Sequence, residues 1–545
     1  MRQRLDDSID LASKPELFGS LRTPGIVSVE ADRKGHLTIY RRLNGELRQE
    51  IVDDFKPYLW LEDAGVLERT QVPYELVELK GENAYRFLLR TNSWAEIKEI
   101  SAHISDVSGR YAGHPDSPQL FLTDLPTQYL LAGGQTYYSQ LALEEVLSVA
   151  LVVYTAADLP DCPSEDPSTI VGVALREGPD GELHWIAGDD EEKLLWQVRG
   201  KLKKLDPDIL MGHHLFKRDL ELLKVRSKAK KIKQDWGRTG DSVSARPSRM
   251  TVAEKQLDYQ RWQVPGREVV DSWILAILHD VSGRELLSYE LVDVCAHFGI
   301  EVGKLGEPLE QRAAKDSNAV AKLHRNLLYP YFLQAQIFPL TLENVVLRGN
   351  ATRINHLFLR EYHRQGHSIP KKPEVENFAG GLTAQEHEGC AYGVYHCDIA
   401  SLYPSLIVTF KLGPKNDALE IFTGLLETLR DFRFLAKAQQ RKAQTSADRT
   451  FFSNLQTTFK ILINSFYGYL GFGQGNFGDF EKAAEVTARG RDLLQHMMTW
   501  LRERGASILE VDTDGIYFVP SESFATVDWV TNLDQTLPPG VQVEF

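Results

Sequence analysis

A short stretch near the C-terminal end constrains the fold of this chain most. In residues 508–519, ILEVDTDGIYFV, two apolar runs rich in β-branched and aromatic residues flank the polar tip Asp512-Thr513-Asp514-Gly515. This pattern predicts a β-hairpin with carboxylates at its turn. Close carboxylates repel each other and lose solvation unless a cation lies between them, so the tip suits a hard divalent metal. Taken alone it also fits an ordinary turn, because Asp and Gly favour turns for local reasons.

Length and composition predict a folded protein of several domains. A chain of 545 residues is too long for one hydrophobic core, and 43% apolar with 25% charged residues is ordinary for a folded soluble protein. No segment has the pattern of a membrane span or a signal peptide, so we expect a cytoplasmic, nucleoid-associated protein without a membrane partner. The net charge of −14 excludes a surface that is basic all over. It does not exclude nucleic acid, because a carboxylate-bearing enzyme can still line a channel with Lys and Arg.

The first two thirds of the chain predict two domains and a segment that connects them to the C-terminal part. Residues 1–125 alternate in short strand-like pieces and predict a small mixed β/α domain. Residues 126–345 alternate strands with helices and predict an α/β domain. Within it, the polar region 238–267 is predicted to be an exposed segment with little regular structure. A helix over 350–365 and a loop ending in Gly380-Gly381 follow, and paired glycines permit close backbone approach.

A second acidic block precedes the hairpin. In YGVYHCDIASLYPSLIV, residues 392–408, a strand over 393–397 delivers Asp398 to its end, and the chain then turns toward a helix. An acid at a strand end is well placed to meet acids on a neighbouring hairpin. Asp398, Asp512 and Asp514 therefore predict a shared site for two metal ions.

Two helices between these acidic blocks carry cations at helical spacing. The first, over 421–444, has Arg433 and Lys437 on one face. The second begins after the capping-type residues Ser446 and Asp448, runs to about residue 467, and has Lys460 and Asn464 at the same spacing. The short connection predicts an antiparallel helical hairpin. If the polar faces coincide, three cations and an amide suit a polyphosphate; otherwise both faces are simply solvated.

Three blocks in this order resemble the motifs A, B and C of the family B DNA polymerases. They are DIASLYPS at 398–405, KILINSFYG at 460–468 and DTD at 512–514. Further landmarks, such as QTYYSQ, GHHLFKRDL, RELLSYELVDV and FAGG, extend the resemblance over roughly residues 50–545. The resemblance implies an α/β multidomain fold with a β-rich N-terminal domain, an RNase H-like exonuclease-type domain, a palm with an antiparallel sheet, and helical-hairpin fingers.

The resemblance also implies domain boundaries. These are 1–125 for the N-terminal domain, 126–345 for the exonuclease-like domain, 346–420 for the linker and first part of the palm, 421–475 for the fingers, and 476–545 for the rest of the palm.

Residue roles follow from the same resemblance. Asp398 and Asp514, with Ile399 beside them, match the ligands of two Mg²⁺ ions, and Asp512 matches an auxiliary acid; two such ions clamp an in-line displacement. Tyr403 matches the ring that leaves no room for a 2′-hydroxyl. The residues matched to binding of the incoming nucleotide are Arg433, Lys437, Lys460, Asn464, Ser401, Leu402 and Tyr403, and those matched to packing at the nascent base pair are Tyr467 and Gly468.

The exonuclease-like domain departs from the family at its acids. The first block should read Asp-x-Glu, but here Ala150-Leu151-Val152 stands in its place. In the second block Asp219 is kept and His214 replaces the usual Asn. The third block, near residues 313–317, lacks a clear Tyr and Asp, although Asp316 fits with a shift of one position. Alanine and valine cannot bind Mg²⁺, so we predict a domain that folds but does not proofread.

Other departures concern substitutes and the C-terminal end. Asp158 and Asp161 are candidate replacements for the lost acids. Glu510 and Gly515 stand where the family often has Tyr and Ser around motif C. The chain stops some 30 residues after Asp514, so either the sequence is a fragment or the protein lacks a thumb, and in both cases we expect a weak grip on duplex DNA.

The sequence thus predicts template-directed DNA synthesis from dNTPs on primer–template DNA, in replication or repair, with a sliding clamp as a candidate partner. A non-catalytic DNA-binding subunit, or a truncated inactive polymerase, is the alternative. A metal-dependent nuclease is a third reading, which Ala150 and Val152 disfavour.

Overall fold

The structure is a computed structural model that describes residues 14–21, 23–159, 165–252, 255–521 and 529–545. The chain forms two compact units. The first comprises Met1–Pro57, Ser93–Ala95 and Thr123–Gly349, and the second comprises Tyr58–Asn92, Glu96–Leu122 and Asn350–Phe545. The finer five-part boundaries drawn from the sequence stay a prediction.

The described residues form nineteen β-strands. They are β1 Ile26–Ala31, β2 Leu37–Leu43, β3 Glu46–Val52, β4 Tyr58–Leu61, β5 Glu75–Glu78, β6 Phe87–Arg90, β7 Gln119–Leu120, β8 Ser148–Thr155, β9 Ile170–Glu177, β10 Leu183–Ala187, β11 Ile209–Gly212, β12 Ser244–Val252, β13 Lys255–Gln263, β14 Glu268–Asp271, β15 Thr383–Gln385, β16 Tyr395–Ile399, β17 Ser507–Asp512, β18 Gly515–Val519 and β19 Val543–Glu544.

The same residues form fifteen α-helices. They are α1 Pro15–Phe18, α2 Trp94–Ser108, α3 Leu125–Ala132, α4 Glu191–Leu205, α5 Leu220–Ala229, α6 Ser272–Gly283, α7 Leu291–His297, α8 Leu309–Ala335, α9 Leu342–Leu347, α10 Asn350–Gln365, α11 Leu402–Phe410, α12 Ile421–Lys442, α13 Ser446–Leu470, α14 Phe480–Glu503 and α15 Trp529–Asp534. The predicted mixed α/β class is therefore confirmed. None of these helices has the length and apolarity needed to cross a bilayer.

A five-stranded sheet in the order β10-β9-β8-β11-β14 organises the first unit, and we call it the mixed sheet. Strands β8, β11 and β14 are parallel, while β9 and β10 are antiparallel additions. Helix α8 packs against β8, β9 and β11. Strands β8 and β11 are almost continuously buried, which is typical of central strands with both faces covered. The predicted alternation of strands and helices over residues 146–212 is confirmed.

The prediction that residues 238–267 have little regular structure was wrong, although the segment is exposed as expected. Strands β12 and β13 pair in antiparallel register over their full length, from Ser244 opposite Gln263 to Val252 opposite Lys255. Most of their side chains are at least partly exposed. A two-stranded ribbon that buries so little lacks the apolar alternation by which sequence patterns indicate strands.

An antiparallel sheet in the order β15-β17-β18-β16-β19 organises the second unit, and we call it the C-terminal sheet. One face is apolar and packs against α11 and α14 through Cys397, Ile399, Val511, Ile516 and Phe518. Because side chains alternate along a strand, Asp398 and Asp512 project from the opposite face, and Asp514 lies in the turn between β17 and β18.

Helices α12 and α13 pack along each other and confirm the predicted helical hairpin. The hydroxyl of Thr445 accepts a hydrogen bond from the backbone N–H of Asp448 at 3.0 Å and caps α13. The capping residue is therefore Thr445, and the predicted capping residues Ser446 and Asp448 lie within the first turn of the helix.

Candidate active site

The C-terminal sheet brings the three sequence-predicted acids to one edge. Asp398, on β16, pairs in register with Gly515, and Gly515 also pairs with Asp512 across the hairpin turn. The backbone N–H of Ile399 donates to the carbonyl oxygen of Asp514 at 2.9 Å. The predicted β-hairpin is confirmed, with Thr513 in the left-handed conformation at φ 53°.

The acids raise each other's cost of ionisation. Burial raises the pKa of Asp398 above its usual value. The pKa of Asp514 is also raised, first by burial and then by the charges of Asp398 and Asp512. Among the described residues, Asp398 Oδ1 is buried and has no hydrogen-bond partner. A buried carboxylate oxygen without a partner, beside two further acids, fits a hard divalent cation.

The carboxylates are not gathered as tightly as metal ligands. In the described part of the chain, one group of three ligand-type side chains has its donor atoms within 4.8 Å of one another, and it is Glu177, Glu182 and His184 of the mixed sheet. The acids of the C-terminal sheet do not form such a group, so a bound cation would have to draw them together. Ile399 has a buried apolar side chain and offers only its backbone carbonyl as a ligand.

Cations from the helical hairpin reach this edge. Arg433, on α12, donates from Nη1 to Ser401 Oγ at 3.3 Å, and its buried Nε has no partner among the described residues. Burial lowers the pKa of Arg433. The charge of Lys460, on α13, acts to lower the pKa of Asp398. Arg433 therefore contacts the turn that follows Asp398, and the charge of Lys460 acts on the same acid.

The remaining predicted residues of the hairpin are less directly engaged. Lys437 is half-buried and Asn464 is exposed, one turn beyond Arg433 and Lys460 respectively. Neither side chain makes a hydrogen bond to an acid of the C-terminal sheet in the part that the structure describes.

An aromatic stack joins the strand with the acid to the helical hairpin. The rings of Tyr403 and Tyr467 are stacked with centroids 4.3 Å apart and planes at 28°. A Cβ on Gly381 would lie 2.7 Å from the Tyr403 hydroxyl oxygen, and a Cβ on Gly490 would lie 3.1 Å from Tyr403 Cε1. The second glycine of the FAGG loop thus permits the close approach expected of it.

Two further predicted residues have different surroundings. Leu402 is buried in the core beneath the C-terminal sheet and offers a ligand only backbone groups. Gly468 has open space where a Cβ would stand, which is compatible with a base pair passing close to α13.

In the mixed sheet of the first unit, the two positions of β8 that were expected to be acidic carry apolar side chains. Ala150 is fully buried and belongs to a cluster with Met211, Val320 and Ala321. Val152 packs against the same cluster and against a second one that contains Tyr154. Neither side chain has an atom that binds a metal.

The other candidate acids of this domain interact with side chains or backbone groups of the same chain. Asp158 accepts from Arg218 Nη2 at 2.8 Å and from the Thr155 backbone N–H at 2.8 Å. Asp219 lies 3.4 Å from Arg218 Nη1, and burial raises its pKa to about 8. The guanidinium of Arg218 therefore lies between two carboxylates. Asp161 lies outside the described residues.

The third acid and the histidine are also engaged. Asp316 accepts from the Tyr154 hydroxyl and from the Gly303 backbone N–H, each at 2.8 Å, and lies 3.5 Å from Arg312 Nε. His214 has a left-handed backbone at φ 59° and its Nε2 lies 3.2 Å from a Glu290 carboxylate oxygen.

Comparison with known proteins agrees with this arrangement. The family model described as DNA polymerase family B matches residues 414–516. A DNA polymerase of Pyrococcus glycovorans is 24% identical over 95% of this chain and 74% of its own length, and one of Archaeoglobus fulgidus is 24% identical over 70% of this chain and 51% of its own length. The family B DNA polymerase of Pyrobaculum calidifontis superimposes with a TM-score of 0.69 at 17% identity, covering 96% of this chain and 77% of that one. The chain is similar to the family B DNA polymerases in sequence and in fold. The matched residues 414–516 include the helical hairpin, Asp512 and Asp514.

Sequence reasoning missed one residue beside these acids. His396 lies two positions before Asp398, and its Nε2 would be 2.6 Å from a Cβ on Gly515. A signal existed in the sequence, because a glycine replaces the usual serine at 515, but the strand register is needed to connect the two positions.

Proposed function

We propose that this chain synthesises DNA on a template, transferring nucleotides from dNTPs to the 3′-hydroxyl of a primer, and that it does not proofread. The observation that carries the proposal is the convergence of Asp398, Asp514, Arg433 and Lys460 at one edge of the C-terminal sheet. The partners are primer–template DNA and dNTPs, and a sliding clamp stays a candidate.

The acids would hold the metal ions. Asp398 and Asp514 would bind two divalent cations, expected to be Mg²⁺, with Asp512 assisting from the hairpin turn. When bound, such ions lower the pKa of the attacking hydroxyl and neutralise charge on the triphosphate. The unpaired Asp398 Oδ1 and the mutual repulsion of the acids support this assignment.

The cations and the aromatic stack would bind the nucleotide. Arg433 and Lys460 would stabilise the negative charge that builds on the leaving pyrophosphate, and Lys437 and Asn464 would extend this grip along the helices. Tyr403 would pack beneath the nucleotide sugar, with no space for a 2′-hydroxyl. Gly381 and Gly490 lie next to this ring and leave it just enough room, because a Cβ at either position would lie too close to it.

The test is primer extension by variants. Asp398→Ala and Asp514→Ala should each abolish divalent-cation-dependent incorporation while leaving binding to primer–template DNA, measured by fluorescence anisotropy, within about twofold. Asp492→Ala, an exposed acid on α14, is the matched control and should extend normally. If both site variants extend as well as the unaltered chain, the acids are not catalytic and the proposal fails.

Absence of proofreading rests on the mixed sheet. Where catalytic acids are expected, Ala150 and Val152 are apolar, and Arg218 bridges Asp158 and Asp219. A guanidinium held between two carboxyl groups competes with metal binding, because it contacts the oxygens that a metal would need. The exonuclease-like domain would then serve as a scaffold, and errors made by the polymerase would remain in the primer.

A further inference from the structure

Three side chains with metal-binding atoms meet at the edge of the mixed sheet that β10 forms. Glu177 ends β9, Glu182 directly precedes β10, and His184 lies within β10. The imidazole Nε2 lies 2.7 Å from Oε1 of Glu177, and Nδ1 lies 3.3 Å from Oε1 of Glu182. One donor atom from each residue lies within 4.8 Å of those of the other two. The imidazole is therefore held between two carboxylates, and we call these three residues the glutamate–histidine cluster.

The glutamate–histidine cluster is on the face of the sheet opposite to the expected exonuclease site. Ala150 pairs with Arg176, whose guanidinium donates to groups on α8, so both residues face that helix. Glu177 follows Arg176 along β9, and its side chain therefore projects from the other face. His184 pairs with Leu175 and shares the face of Glu177. The cluster is thus separate from the site whose acids are replaced at Ala150.

The two glutamates are direct neighbours across the β9–β10 hairpin. The backbone N–H of Glu177 donates to the carbonyl oxygen of Glu182 at 3.1 Å. Like charges in directly opposite positions destabilise a pair of strands. Lys322 pairs with Asp180 in the connecting turn at 2.9 Å. Within the described ranges neither glutamate forms an ion pair with a lysine or arginine, so His184 is their shared basic partner there.

A neutral histidine cannot satisfy both carboxylates. A neutral imidazole has one N–H, and its other nitrogen is an acceptor. If the N–H is on Nε2 and donates to Glu177, the lone pair of Nδ1 faces the carboxylate of Glu182. Two such lone pairs repel each other unless a proton or a metal ion lies between them. The side chain of His184 is only 9% exposed, so water has little access to relieve the repulsion.

The two distances from the imidazole favour a metal ion at Nδ1. In a tetrahedral site with bonds of about 2.0–2.2 Å, the ligand atoms are about 3.3–3.6 Å apart. Nδ1 and Oε1 of Glu182 have this separation, whereas the 2.7 Å contact of Nε2 with Glu177 is an ordinary hydrogen bond. Metal-bound histidines commonly donate their second N–H to a carboxylate, which fixes the ring and its tautomer. An imidazole ligand favours Zn²⁺ over Mg²⁺, because Mg²⁺ prefers oxygen ligands.

We propose that the glutamate–histidine cluster binds one Zn²⁺ ion or a divalent transition-metal ion of similar ligand preference. His184 Nδ1 and the Glu182 carboxylate are the ligands, Glu177 orients the imidazole through Nε2, and water completes the coordination. With a neutral imidazole, the two positive charges of the ion balance the two carboxylates. The ion thereby fastens the start of β10 to the end of β9. The inference is independent of the proposed function, because this ion takes no part in nucleotide transfer.

Zinc binding by the full chain tests the site directly. The chain, without a histidine tag and with excess Mg²⁺ to occupy the carboxylates of the C-terminal sheet, is titrated with Zn²⁺ by isothermal titration calorimetry. His184→Ala and Glu182→Ala should each bind one Zn²⁺ ion fewer than the unaltered chain. Glu177→Gln leaves a weaker acceptor for the Nε2 proton and should weaken binding of this ion about 10–100-fold. His36→Ala, at an exposed histidine of the same unit that pairs with a single carboxylate, is the control and should bind as the unaltered chain does.

Thermal unfolding gives a second readout. Zn²⁺ should raise the Tm of the unaltered chain and of His36→Ala more than that of His184→Ala, because an ion that binds the native state stabilises it. Circular dichroism without Zn²⁺ checks that each variant is folded. Equal zinc stoichiometry and equal Tm shifts in the unaltered chain and in His184→Ala would overturn the inference and leave a protonated histidine between the two glutamates. Primer extension by His184→Ala should be unchanged, so this result would not affect the proposed polymerase activity.

Discussion

The ring of Tyr403, at the start of α11, stacks on the ring of Tyr467, near the end of α13, with 4.3 Å between centroids. The stack connects α11, which follows the strand that carries Asp398, to the helix that carries Lys460. Tyr403 is also near Asp514, whose charge adds to the effect of burial in raising the pKa of the tyrosine. One ring thus contacts the helical hairpin and lies close to the acids at the same time.

Removal of this ring should relax sugar selection. We expect Tyr403→Ala to lower the preference for dNTP over rNTP by at least about tenfold, because the ring no longer fills the space of a 2′-hydroxyl. Tyr403→Phe keeps the ring and should keep the preference. The measurement is the ratio of kcat/KM for matched dNTP and rNTP. An unchanged ratio in Tyr403→Ala would show that another residue selects the sugar.

Loss of a cation at the acidic edge should weaken nucleotide use. Lys460→Ala should raise KM for dNTP or lower kcat by a combined factor of roughly 10–100, since hydrogen bonds to charged groups contribute about 1.5–3 kcal/mol. Lys442→Ala, at the exposed end of α12, is the control. Steady-state incorporation of a single nucleotide measures both. Equal effects of the two substitutions would mean that general surface charge, rather than a phosphate contact, is responsible.

The buried acid of the mixed sheet should impose a pH dependence on stability. Asp219 has a folded-state pKa of about 8, raised mainly by burial, against an ordinary value near 3.8. The native state therefore keeps its proton where the unfolded state has lost it, so the free energy of unfolding falls as pH rises from about 4 to about 8. Asp219→Asn removes this decrease in the free energy of unfolding, because asparagine does not ionise.

We therefore expect Asp219→Asn to be more stable than the unaltered chain at pH 8, by at least about 1 kcal/mol, with a smaller difference at pH 5. Urea denaturation without divalent cations at the two pH values measures this. Asp492→Asn, on the exposed face of α14, is the control. If Asp219→Asn is instead less stable than the unaltered chain at pH 8, the folded state stabilises the charged form of Asp219, which would contradict the raised pKa.

An acid should not be tolerated at position 150. Ala150 is fully buried among apolar side chains, so Ala150→Asp should lower the free energy of unfolding by roughly 3–5 kcal/mol at neutral pH. The loss should shrink as pH falls, because protonation removes the buried charge. Ala150→Asn has the same shape without the charge, and its cost should not depend on pH. A small, pH-independent cost for the aspartate would indicate that water or a cation still reaches this position.

Local patterns were enough to predict much of the fold. Helix α10 has the bounds that the sequence indicates, because apolar spacing is a local property. The motif C hairpin was equally clear from its turn residues. Hairpin β12–β13 was missed because its strands are mostly exposed and carry no apolar alternation.

Contacts between distant positions could not be predicted in the same way. The ion pair of Arg218 with Asp158 joins residues on different elements, and nothing in either segment indicates it. His396 over Gly515 depends on the register of β16 against β18, which sequence spacing does not fix. The residue types at the site were therefore predictable, while the partners that tune them required the structure.

One experiment addresses the central claim, which is synthesis without excision. The unaltered chain is incubated with Mg²⁺ on a matched primer–template with dNTPs and, in parallel, on a primer with a 3′-mismatch and no dNTPs. We expect the first primer to lengthen and the second to keep its length. Failure to lengthen the first primer while the DNA is bound would contradict the proposed polymerase activity, and shortening of the second would contradict the assignment of Ala150, Val152 and Arg218 to an inactive exonuclease-like domain.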